Sequence, residues 1–117
     1  MGGGSGVGGD AMSADTIFIG CDNLIEWDGA TNEADDSYLN AATATFTLKT
    51  LAGVAVSGAE DVTMSYVADS DGVYQGTLQS TVSLTENAEY YVEVSLAQSG
   101  LVAFRRWKVV TMYKDEA

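Results

Sequence analysis

Hydrophobic and polar residues alternate with a period of two along much of the chain, the repeat of a strand with one face buried and the other in water. The clearest run is residues 41–49, with Ala42, Ala44, Phe46 and Leu48 on one side and Thr43, Thr45, Thr47 and Lys49 on the other. A second is residues 90–96, where Tyr90, Val92, Val94 and Leu96 face inward and Tyr91, Glu93 and Ser95 outward. Residues 63–68 and 73–78 flank Asp69-Ser-Asp-Gly72. Gly there accepts the positive φ that a tight turn between twisted strands requires. Together with residues 90–96 these runs predict a three-stranded meander, with Val62, Met64 and Tyr66 on one face of its first strand and Tyr74, Gly76 and Leu78 on one face of its second. Gly76 inside a strand predicts either a bulge or a large neighbour filling the space.

The rest of the chain extends this pattern. Residues 16–20 and 23–27 are short apolar runs that predict an N-terminal hairpin or two strands at the edges of two sheets, with Asp28-Gly29 as a turn. Residues 30–40 are polar, acidic and aperiodic, a loop that Tyr38 and Leu39 tuck onto the core. Residues 54–56 predict a further short strand, and residues 80–89 a bridge with Val82 and Leu84 inward and a turn at Glu86-Asn87. Gln98-Ser-Gly100 turns the chain into residues 101–112, which alternate poorly around Phe104-Arg-Arg-Trp107. That lapse predicts a bulge or burial on both faces, with Trp107 and Val109 inward. Strand signals recur at intervals of about 8–12 residues, and no window of about 11 has a helical period. The fold class is therefore all-β: an immunoglobulin-like antiparallel β-sandwich of about seven to eight strands, with a small β-barrel as the alternative. The Cys…Trp…Cys spacing of antibody domains is absent.

Composition narrows the class of function. At 117 residues the chain can bury one core and hardly two, which predicts a single sandwich over residues 15–117. Residues 1–14 form a Gly-rich leader, either a docking arm or an artificial extension ahead of Met12. A docking arm would place Gly2, Gly3 and Gly4 against a neighbour, since Gly permits close backbone approach. Net charge is −12, from 17 acidic and 5 basic residues, which argues against nucleic acid as a partner. No run reaches the length of a membrane span, which argues against a membrane partner too. Four of the five basic residues, Arg105, Arg106, Lys108 and Lys114, fall in the last 13 positions. That predicts one basic strand on an acidic body, suited to head-to-tail contact between copies or with an acidic neighbour, or simply a solvated face balancing nearby carboxylates. Tyr91 and Tyr113 are the aromatics expected outside, as anchors of a partner interface.

Candidate chemistry is sparse. Without His and with Cys21 alone, the chain offers no transition-metal set, no Cys- or His-based nucleophile and no internal disulfide. Asp69-x-Asp71-Gly72 resembles the start of a calcium loop but lacks the third ligand and the distal Glu, so a hairpin turn explains it as well as Ca²⁺ does. No catalytic constellation emerges, and the expectation is a non-enzymatic binding or assembly module without a cofactor.

At residues 38–49, 67–78, 89–94 and Phe104-Arg-Arg-Trp107 the chain resembles small immunoglobulin-like virion proteins of tailed bacteriophages. More distantly it is similar to the immunoglobulin-like domain of phage baseplate upper proteins, where a like strand, an Asp-Gly-x-Tyr turn and a Tyr-x-Val-x-Val strand recur. The similarity spans about residues 15–112. It implies a structural component of a phage particle, assembled in the bacterial cytoplasm. Its partners would be other virion proteins and copies of itself, decorating or stabilising the head or sitting at the head–tail region. A tail-associated module binding a host or a carbohydrate is the alternative.

Overall fold

The structure, a computed structural model, describes residues 16–114. Among the described residues there are seven strands and no helix: β1 (Thr16–Phe18), β2 (Asn23–Trp27), β3 (Thr43–Thr50), β4 (Val62–Tyr66), β5 (Tyr74–Leu78), β6 (Glu89–Gln98) and β7 (Leu101–Met112). They hydrogen-bond in the order β1-β7-β6-β3-β4-β5-β2. The chain changes layer within β4, whose Val62–Met64 half pairs with β3 and whose Ser65–Tyr66 half pairs with β5. One layer is therefore β1-β7-β6-β3, the other β2-β5, and β4 joins them. Pairing β2 with β5, and β3 with β6 and β7, is the B–E and C–F–G arrangement of immunoglobulin-like sandwiches. The two ends of the sheet approach each other at Asn23. Its side-chain oxygen accepts the Phe18 N–H at 2.9 Å, and its amide donates to the carbonyls of Phe18 and Cys21. The sandwich is thus nearly a barrel, and Asn23 spans the seam.

Alternation places the core. Phe46, Leu48, Val92, Val94 and Leu96 from the first layer meet Ile25, Tyr74 and Leu78 from the second, with Met64 between them, all buried. Each large apolar side chain so buried stabilises by about 1.5–3 kcal/mol. Gly76 lies on this inner row, and a Cβ there would sit 2.9 Å from Met64 Cγ and 3.1 Å from Phe46 Cε2. Large neighbours fill the position, and the pairing of β5 runs through it without a bulge.

Two tyrosines convert burial into tethering. The Tyr74 hydroxyl donates to the Leu39 carbonyl at 2.6 Å and accepts the Ala42 N–H at 3.0 Å, which fastens the 30–42 loop over the sandwich. Tyr90, at the start of β6, accepts the Thr85 N–H at 2.9 Å. This is the tyrosine corner of immunoglobulin-like domains, where the ring is buried and the hydroxyl satisfies backbone a few residues upstream. The same bridge is held from β7 by buried Thr111, whose hydroxyl donates to the Thr85 carbonyl and accepts the Ala88 N–H at 3.3 Å.

Several expectations change. The meander is a hairpin only: residues 90–96 belong to β6, which pairs with β3 and β7 in the other layer rather than with β5. Covering both faces of one core requires the chain to cross over at the 80–88 bridge. The sheet is mixed rather than purely antiparallel, because β1 runs parallel to β7 from Thr16↔Val110 to Phe18↔Met112. The two N-terminal runs make the edge strands and no hairpin. Residues 54–56 contribute one isolated bridge, Lys49↔Ala55, instead of a strand. In the 30–40 loop Leu39 is buried, but Tyr38 is exposed. At Phe104-Arg-Arg-Trp107 there is neither a bulge nor burial on both faces. The β6–β7 register is unbroken from Gln98↔Leu101 to Glu89↔Val110. The lapse in alternation has another cause: the inner row of β7 is only half-buried at Ala103, Arg105 and Trp107 and becomes fully buried at Val109 and Thr111, so its early part accommodates Arg105.

Candidate functional site

The outer surface of the β3-β6-β7 layer gathers the basic residues. Antiparallel pairing sets Lys49 opposite Tyr91, Tyr91 opposite Lys108, and Glu93 opposite Arg106. Arg106 lies over the Tyr91 ring, Cζ 3.7 Å from its centroid, with Lys108 Nζ at 6.0 Å. Glu93 is shared between Lys49 Nζ at 2.9 Å and Arg106 Nε at 3.6 Å, and Glu89 stands 3.9 Å from Lys108. Three cations on this surface face two carboxylates, a local positive excess on a chain whose residues 50–104 contain no Lys or Arg. The contact with Tyr91 holds the Arg106 guanidinium over the ring.

The other predicted interface residues disperse. Arg105 falls on the inner row of β7, half-buried, its guanidinium 5.5 Å from the Trp107 ring centroid. Lys114 approaches Phe18, Nζ to ring centroid 5.8 Å, at the far end of β7. Tyr113 is exposed beside it, whereas Tyr91 is half-buried beneath Arg106. Gly2, Gly3 and Gly4 lie outside the described residues. Lys49, Glu93, Val102 and Phe104 complete the surface, and the clustering of basic residues in the chain order does not point to them. The outward parity of Lys49 and Glu93 on their strands was the available signal, and pairing of β3 with β6 brings them together.

Beyond the cations the same surface turns apolar. Val102 and Phe104 project outward near the start of β7, 73% and 58% exposed, and Leu101 is exposed beside them. Phe104 and Arg106 are two residues apart and share one face of the strand. The side of β7 away from β6 is paired with β1 only from Val110 onward.

The opposite surface, the outside of β2-β5 and the end of β4, is different. It carries a shallow groove of about 420 Å³ lined by Leu24, Ser65, Tyr66, Val67, Gln75, Gly76 and Thr77. Leu24 is 54% exposed. Glu26, two residues on and on the same face of β2, accepts a 2.8 Å hydrogen bond from Gln75 Nε2 at the groove. The Tyr66 hydroxyl is already engaged with the Ser70 carbonyl in the hairpin turn. Acids surround this side: Asp22, Asp28, Asp69 and Asp71 all fall on β2, its flanks or the β4–β5 turn. Asp35, in the adjoining loop, is held below the usual carboxylate range by hydrogen bonds from the Ser37 hydroxyl and N–H. Asp69, at positive φ, and Asp71 shape the turn. Among the described residues no three His, Cys, Asp or Glu side chains cluster as a metal set. None of those residues forms a helix long and apolar enough to cross a membrane.

The arrangement is therefore a sandwich with a cationic sheet, edged by an apolar knob, on one side and an acidic sheet with an apolar groove on the other. No protein-family model matches the chain, and neither a curated protein nor a solved structure matches it.

Proposed function

We propose that this chain is a non-enzymatic structural component of a tailed-phage particle, decorating or stabilising the head or placed at the head–tail region. The observation that carries the reading is the polarisation of the two sheets. A module that joins larger assemblies needs complementary faces held rigidly apart, and the sandwich supplies a cationic, aromatic-backed face and an acidic one across a single packed core. The resemblance of its strand and turn motifs to small phage immunoglobulin-like proteins supplies the setting. The test is compositional. Mass spectrometry of density-purified particles from a lysate encoding the chain is expected to find it at a fixed ratio to the shell or tail proteins, and a chain that stays wholly in the soluble fraction overturns the reading.

A second reading, a tail-associated carbohydrate-binding module, draws on one feature: the groove with Tyr66, Gln75, Ser65 and Thr77, since a ring flanked by hydrogen-bonding groups suits a sugar. Its support is weaker, because Leu24 occupies the groove wall and the Tyr66 hydroxyl is already bonded. Glycan-array binding abolished by Tyr66→Ala would establish it in place of the first.

A further inference from the structure

We infer that the chain associates head to tail with a second copy of itself, Phe104 and Val102 on β7 of one copy entering the groove beside Leu24 on the other, with Arg106 meeting Glu26. This deepens the assembly reading above and rests on it. Three observations converge. First, Val102 and Phe104 are the most exposed of the large apolar side chains on the cationic sheet, and they sit together. Large apolar groups grouped on a surface mark an interaction site more than single ones do. Second, the opposite sheet has a groove of about 420 Å³ whose wall is the exposed side chain of Leu24, room for an aromatic ring. Third, the charges match in spacing. Phe104 and Arg106 are two residues apart on one face of β7, and Leu24 and Glu26 are two residues apart on one face of β2. Both intervals are the same strand repeat, about 7 Å. Apolar group meets apolar group while cation meets anion in one register, flanked by Lys108 on one side and Asp28 on the other.

The two half-sites lie on opposite layers, so the contact is heterologous: a copy that offers its knob keeps its groove free. Such a contact propagates into a ring or an open chain instead of stopping at a dimer. A few residues on each side fall short of the area of a standard stable interface, so one contact is weak and association depends on concentration. A particle that presents many copies in fixed orientation would compensate through effective concentration.

The experiment uses the full chain in sedimentation velocity from about 10 µM to about 1 mM, a range set by the weak interface expected here. The expected result is a weight-average mass that climbs past the dimer. Phe104→Asp and Leu24→Asp, both at exposed positions, should each leave a folded monomer, with unchanged circular dichroism and at least about tenfold weaker association. Mixed in equal amounts they should form a dimer and stop there, because the first variant retains its groove and the second its knob. Arg106→Glu and Glu26→Arg should each weaken association, and both in one chain should restore it. A wild-type chain that remains monomeric throughout overturns the contact. So does loss of association in Phe104→Asp but not in Leu24→Asp, which would mean β7 pairing with β7, and so does a mixture that stays monomeric. If the contact fails while the chain is still found in purified particles, only this inference falls. If the chain is absent from particles, the assembly reading falls too.

Discussion

Removing one oxygen atom from Tyr74 should cost more than most surface changes of any size. The side chain is 0% exposed, and its hydroxyl bridges the Leu39 carbonyl at 2.6 Å and the Ala42 N–H at 3.0 Å. Tyr74→Phe keeps the ring, its packing against Tyr66 at 5.5 Å between centroids, and its contacts with the core. It leaves two backbone groups without their partner. Leu39 is buried, so its carbonyl loses a hydrogen bond that water cannot replace, at a cost of about 1–3 kcal/mol. Ala42 is half-buried, so its N–H regains part of its loss from solvent, and about 1 kcal/mol is the share expected there. The sum is about 2–4 kcal/mol, a large fraction of the 5–15 kcal/mol typical of a domain. Urea unfolding followed by tryptophan fluorescence measures it, with a lower midpoint at unchanged slope as the expected outcome. Tyr90→Phe is the internal comparison: it gives up one bond, from the N–H of exposed Thr85, and should cost about 1 kcal/mol. A Tyr74→Phe loss below about 1 kcal/mol, or no greater than that of Tyr90→Phe, would refute the claim that Tyr74 is what fastens the 30–42 loop.

Three further outcomes follow from the same geometry. Thr111→Val deletes the hydroxyl that serves both the Thr85 carbonyl and the Ala88 N–H, so it should lose about 1–3 kcal/mol in urea unfolding and speed hydrogen exchange selectively across residues 80–88. Gly72→Ala places a Cβ 2.5 Å from the Ala30 carbonyl oxygen at φ +71°, whereas Gly100→Ala meets nothing within 4 Å at φ +84°. The first should cost well over 2 kcal/mol and the second about 1 kcal/mol, a contrast that thermal melts would read directly. Trp107 has a buried indole N–H with no hydrogen-bond partner. Trp107→Phe removes that unsatisfied donor along with some packing, so its stability should stay within about 1 kcal/mol of wild type, compared with about 3–5 kcal/mol for a truncation to Ala.

Local pattern revealed most of the strands because each needs only its own residues to show a period of two. β3 and β6 are plain for that reason, and so is the β4–β5 hairpin, whose turn residues adjoin its strands. What stayed hidden was pairing at a distance. Nothing in residues 90–96 says whether their inner row covers β5 or packs opposite it across the core. The 80–88 bridge decides the matter through the Tyr90 corner and Thr111, contacts made with residues that follow it, as far as 26 positions away. The parallel pairing of β1 was hidden for a like reason. Its parallel partner is the end of β7, almost the full length of the domain away.

The candidate site was legible by half. Clustering of Arg105, Arg106 and Lys108 is visible in the chain order, but a strand sends successive residues to opposite faces, so Arg105 could not share a surface with its two neighbours. Lys49 took its place by pairing across β6. These cations also decide between the two ways β7 could meet another copy. Antiparallel pairing of β7 with itself over its basic half would set Arg105 or Arg106 opposite its own copy, and like charges directly opposite destabilise a strand pair. Charged side chains along an open edge are a common guard against such pairing. The guard does not apply across the sandwich, where the opposite sheet presents Glu26, Asp22 and Asp28. The residues that discourage edge-to-edge association thus favour face-to-face contact between unlike sheets. That preference requires the two sheets to carry opposite charge, and a chain of net charge −12 meets it only by collecting its cations on one of them.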